Sequence, residues 1–201
     1  MSIADDIKAV FEEVGTAFTI VGTTSGEYCV YDIPSRTANP SMQGFVLEAD
    51  LSYDTATVDG SVIEFTDGRR YLVTHNTPDI FEDSPVLNNS LLYKCNVVSG
   101  ELFRASGEVR DIQTYHITTI WEYISGGINA LIVEESSGNN LVQSEIGQLS
   151  KKTYECYLPS FVNSQVLDRF QPYSGEFYKV EQIRNRKLTG IDILVITEDT
   201  R

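Results

Sequence analysis

The chain has 201 residues, 41% of them apolar, and a formal net charge of −14 with a pI near 4.4. That apolar share supports a real core and excludes global disorder, and the length bounds the answer at one or two domains. No run of about 18 apolar residues exists, so no spanning helix is expected, and the acidic balance argues against nucleic-acid binding by phosphate neutralisation.

The first residues, Met1-Ser2-Ile3-Ala4-Asp5-Asp6, are acidic and lack the basic-then-apolar order of a signal peptide, which predicts synthesis and folding in a cytoplasm. Ile3, Ile7, Val10, Phe11 and Val14 recur at helical spacing behind Ser2, Asp5 and Asp6, and Gly15 can stop the turn. So short a helix is marginal alone, so residues 1–16 are expected to pack on their own barrel or on a neighbouring chain. From there the pattern is β. Candidate strands cover 18–21, 28–33, 45–51, 62–65, 70–75, 91–98 and 102–104, then 115–124, 130–134, 153–158, 166–170, 176–183 and 191–196. Gly, Asp, Asn, Ser and Pro fill the gaps, the grammar of barrels and sandwiches.

The tripeptide Ser-Gly-Glu occurs four times, at Ser25, Ser99, Ser106 and Ser174. Glycine reaches positive φ cheaply, as hairpin turns require, so each copy is expected to be a hairpin corner rather than a ligand motif. A longer echo joins Gly68-Arg69-Arg70-Tyr71-Leu72-Val73 to Gly175-Glu176-Phe177-Tyr178-Lys179-Val180, each preceded by an apolar stretch ending in Phe65 or Phe170 and followed by another apolar strand. It predicts one strand–turn–strand unit used twice, with Tyr71 and Tyr178 in equivalent places.

Residues 115–124 form a β-branched and aromatic run with Tyr115, Trp121 and Tyr123, long enough to cross a sheet and protrude. It is either an arm between subunits or an ordinary internal hairpin. The expected division is a helix at 1–16, a first β unit at 17–110, a connecting hairpin or arm at 111–150 and a second β unit at 151–201. The fold class expected is therefore mainly β: two related barrel- or sandwich-like units, a short N-terminal helix and a long hairpin arm between them.

Chemistry is sparse. Cys29, Cys95 and Cys156 are far apart and odd in number, so they read as buried thiols rather than zinc ligands. His75 and His116 lack partners at metal-ligand spacing. Asp79, Glu82 and Asp83 could hold calcium only in a long loop, and no EF-hand, phosphate loop or nucleophile elbow is present. No catalytic group, cofactor or metal is expected. The densest basic run, Arg184-Asn185-Arg186-Lys187, reads as a solvated loop or a contact for an acidic neighbouring protein. Eleven tyrosines suit protein interfaces, or a carbohydrate-binding face.

The last third, Val166-Leu167-Asp168-Arg169-Phe170, Ser174 to Val180 and Gly190 to Ile196, resembles the strand pattern of small β-barrel neck and head-closure proteins of tailed bacteriophages. The resemblance covers residues 153–201, with a looser echo over 44–98. It implies a structural virion protein, assembled in the host cytoplasm, that forms a homo-oligomeric ring beside other virion proteins (portal, adaptor, tail terminator or tube), lets double-stranded DNA pass without specific binding and does not engage membrane. The interface residues expected are Val10, Phe11, Val14, Tyr115, Trp121, Tyr123, Arg184, Arg186 and Lys187. A tail or baseplate adaptor is the alternative within the same particle, and a carbohydrate- or protein-binding β module the alternative outside it.

Overall fold

A computed structural model describes residues 3–23, 26–34, 42, 44–113, 115–134, 152–184 and 189–199. One helix, α1 (Ile3–Val14), precedes strands β1 (Thr16–Ile20), β2 (Gly26–Asp32), β3 (Val46–Ser52), β4 (Val62–Phe65), β5 (Arg70–Phe81) and β6 (Ser84–Lys94). After these come β7 (Val97–Arg110), β8 (Ile117–Glu134), β9 (Thr153–Pro159), β10 (Arg169–Tyr173), β11 (Glu176–Arg184) and β12 (Ile191–Glu198). The first six strands close into a barrel in the order β1-β2-β3-β6-β5-β4, and the last six into a second, β7-β8-β9-β12-β11-β10. Closure removes the unpaired edges that make open sheets sticky.

The expected division needs correction. β7, expected in the first unit, and β8, expected in the connection, are both strands of the second barrel, so the first unit ends near Lys94 rather than at 110. The candidate strands at 115–124 and 130–134 are one strand, β8, and those at 91–98 and 102–104 are redistributed between β6 and β7. Of the proposed arm, residues 135–150 lie outside the described residues.

Each barrel is two three-stranded meanders joined the same way, and the likeness extends to single hydrogen bonds. Tyr71 pairs with Ile63, and Tyr178 with Phe170. Val73 donates its N–H to Ser61 O at 2.9 Å, and Val180 donates to Asp168 O at 2.9 Å. Gly60 and Leu167 donate to Val73 O and Val180 O, both at 2.8 Å. The N–H of Val58 reaches the Ser61 hydroxyl, and that of Gln165 the Asp168 carboxylate. Both second strands then bulge at the same step, after Val73 and after Val180. Tyr71 and Tyr178 thus occupy equivalent positions. The two phenylalanines do not: Phe170 matches Ile63 in register, and Phe65 lies two residues further along.

The Ser-Gly-Glu repeats are mostly not corners. Only Gly175, at φ 86°, turns between β10 and β11. Gly26 opens β2, while Gly100 and Gly107 lie inside β7 where its register against β8 slips. Gly100 is required by packing: a Cβ there would stand 2.8 Å from the Phe170 ring that fills the second barrel.

Inward positions alternate along the strands and form one core per barrel, Phe18, Leu51, Ile63, Tyr71 and Leu92 in the first and Leu102, Leu158, Phe170, Val180 and Ile196 in the second. A third cluster belongs to both. Val46, Val62 and Leu72 of the first barrel meet Leu131, Tyr157 and Ile191 of the second. Tyr93 and Tyr157 stack edge-on at 5.3 Å, Arg70 reaches Asn129 at 3.0 Å, and the Thr189 hydroxyl donates to Asp59. There the backbones of Gly60 and Gly190 touch: a Cβ on Gly60 would lie 2.2 Å from the Gly190 carbonyl oxygen.

Candidate interaction surfaces

With both barrels filled by side chains, the functional candidates are external. Beyond Arg104 and Glu122 the β7–β8 hairpin leaves the barrel as a two-stranded arm, with Val109, Ile112, Tyr115, Ile117 and Ile120 all exposed, and Tyr123 exposed at its root opposite Phe103. An isolated two-stranded ribbon is marginal in water, so its base must be held. It is held twice. Asp168, almost fully buried, accepts a two-pronged hydrogen bond from the Arg104 guanidinium, both contacts at 2.8 Å. The next residue, Arg169, lies 4.0 Å over the Trp121 ring and 4.9 Å over Phe177, and its Nε donates to Asp199 at 2.9 Å. The Asp-Arg-Phe run therefore grips β7 with its first residue and β8 with its second, and fills the core with its third. At the tip, Tyr115 sits at φ 57°, a costly conformation for a bulky side chain, beneath the Arg110 guanidinium at 5.0 Å.

The second surface is on the first barrel. Ala4 and Phe11 of α1 are buried against it, Lys8 pairs with Asp54 at 2.5 Å, and Tyr53 donates to Asp5 at 3.1 Å. Val10 and Val14 share the apolar stripe with Phe11, yet both are exposed, as is Ile3. The stripe is wider than the barrel covers. Beside Ile3 the tip of the β5–β6 hairpin exposes Ile80 and Phe81. Between helix and tip runs a groove of about 410 Å³, lined by Ile3, Ala4, Tyr53, Phe81, Pro85 and Val86. Glu82 and Asp83 make the turn itself, both at positive φ. They and Asp79 belong to a hairpin, not to the long loop expected for calcium, and among the described residues no cluster of three metal-ligating side chains forms.

A third surface, a groove of about 390 Å³, crosses β2, β3, β5 and β6, lined by Tyr31, Asp32, Glu48, Asp50 and His75. Burial, then the neighbouring Asp79 and Glu48 charges, hold the Asp50 carboxyl above the usual aspartate range. The His75 ring contacts the Thr77 hydroxyl at 2.6 Å. The three cysteines are buried and free, and burial pushes Cys29 and Cys95 to about 12.

Of the residues singled out in the sequence, Phe11 serves its own barrel, Val10 and Val14 face outward, Tyr115 stands at the arm's tip, Trp121 helps to hold its base, and Tyr123 is exposed at its root. Arg184 donates to Glu155 at 2.6 Å at the end of β11, so it is engaged within the second barrel. Arg186 and Lys187 lie outside the described residues. Sequence reasoning missed Ile80, Phe81, Arg110 and Ile112. For Ile80, Phe81 and Ile112 the signal was present, large apolar residues next to turn residues, where a solvated loop has no use for them; Arg110 carried no such signal. Among the described residues no helix is long and apolar enough to cross a membrane. Compared with known proteins, the chain matches no family model, no curated protein and no solved structure.

Proposed function

We propose that this chain is a structural protein of a tailed-bacteriophage virion that assembles with copies of itself into a ring at the head–tail connection. One observation carries the reading: two closed barrels share a common core, and what projects from them is a braced apolar arm and a helix whose apolar stripe is half uncovered. Filled closed barrels are scaffolds, and exposed apolar side chains gathered on projections mark contact surfaces. The strand pattern of residues 153–201 adds the resemblance to neck and head-closure proteins. An acidic ring suits that place, because negative walls repel phosphates and let DNA slide past. Portal, adaptor, tail-terminator or tube proteins are the neighbours such a ring would meet, and a tail or baseplate position fits the same surfaces.

The test is the mass of the purified protein by light scattering, with electron microscopy of the particles it forms. A closed oligomer is expected. A chain that stays at 22.5 kDa across a concentration series and does not assemble when other neck components are added would overturn the reading.

A second reading rests on the groove across β2, β3, β5 and β6, where a tyrosine, a histidine and carboxylates converge as they would around a sugar. Binding on a glycan array that is lost in Tyr31→Ala, from a protein that forms no ring, would favour it.

A further inference from the structure

The arm and the α1 groove are a matched pair on one chain. We propose that the arm tip of one copy seats in the groove between α1 and the β5–β6 hairpin of a second copy. This inference rests on the ring reading and specifies its contact.

The chemistry of the two surfaces is complementary. The arm tip offers Ile112 and Tyr115, 88% and 69% exposed, with the Arg110 guanidinium held over the tyrosine ring. The groove offers an apolar floor, flanked by Ile3 and Phe81 at 50% and 48% exposure, and has room for large side chains. Glu82 lines the groove from the hairpin turn it shares with Asp83. Apolar side chains meet an apolar floor, and Arg110, the cation between Glu108 and Asp111 on the arm, meets Glu82 of the groove. Both surfaces are exposed in the same chain, so the arm does not occupy its own groove. Arm against arm would place like surfaces together and leave the groove open. The contact is therefore between unlike surfaces, the kind that closes into rings when the rotation allows.

Unlike surfaces give a sharp test. An arm variant (Ile112→Asp with Tyr115→Asp) and a groove variant (Ile3→Asp with Phe81→Asp) are made in the full chain. All four positions are exposed, and circular dichroism checks that each variant is folded. Wild type should have a mass that is a multiple of 22.5 kDa, while each variant alone falls to 22.5 kDa. An equimolar mixture should form pairs and nothing larger, because one intact arm then faces one intact groove. Separately, Arg110→Glu should weaken association about tenfold or more, and adding Glu82→Arg should restore it. Variants that keep the wild-type mass, or a groove variant that dimerises through its intact arm, overturn this inference and leave the ring reading standing. A wild type that remains at 22.5 kDa under every condition overturns both.

Discussion

Leu167 and Gly60 hold the same position in the two barrels, and both have positive φ, at 75° and 86°. In the first barrel the position lies against Gly190, where no Cβ fits; in the second it faces solvent, and Leu167 is half exposed. One backbone requirement is thus met by glycine where a neighbour demands it and by a strained leucine where none does. Leu167→Gly should be neutral or stabilising by up to about 1 kcal/mol, since relief of the left-handed conformation outweighs the extra chain entropy. Gly60→Ala should cost about 1–3 kcal/mol from overlap with the Gly190 backbone, and about 1 more from φ. Thermal melts of the two variants against wild type check the contrast, and equal shifts would refute it. This equivalence was legible in sequence only as the Gly-x-x-Tyr-x-Val echo. The leucine carried no letter in common with the glycine, because what the two share is a dihedral angle and a hydrogen bond.

At the scale of elements, the arm is a lever whose stiffness comes from two consecutive residues of another strand. Asp168 is buried and Arg104 half-buried, and charge-assisted hydrogen bonds contribute about 1.5–3 kcal/mol. Asp168→Ala should therefore lower stability by about 2 kcal/mol and loosen the arm. The loss should appear in denaturant melts, and faster amide exchange should be confined to residues 104–123 and the 163–168 loop; uniform exchange would mean that Asp168 does not brace the arm. The strand inventory was largely legible, because period-2 burial and turn residues are local signals, as in β3, where Val-Leu-Glu-Ala-Asp-Leu-Ser alternates inward and outward. Ser-Gly-Glu misled for a physical reason. A glycine inside a strand also serves a bulge or a close ring contact, and the letters alone do not distinguish Gly100, pressed by Phe170, from Gly175, which turns the chain. The helix stripe was legible as apolar, yet only packing divides Phe11, buried, from Val10 and Val14, exposed.

Across the whole molecule, a cluster built from both barrels implies one cooperative unit. The shared cluster of Val62, Leu72, Leu131, Tyr157 and Ile191 would be exposed by losing either barrel, and each such side chain contributes about 1.5–3 kcal/mol when buried. Cys29 reports on the first barrel and Cys156 on the second, and neither is accessible in the folded state. Both should become reactive to a maleimide at the same denaturant concentration, as mass spectrometry of labelled peptides will show. Labelling of Cys29 well before Cys156 would mean that the barrels unfold separately.

The junction at Gly60 and Gly190 also fixes a direction in space. The groove rides on one barrel and the arm on the other, so in the proposed ring the packing between the barrels would set the angle at which each copy hands its arm to the next. Repeated around a circle, that angle would become a curvature. In that ring, two glycines and a tyrosine pair would decide how many copies complete a turn and how wide an opening they leave.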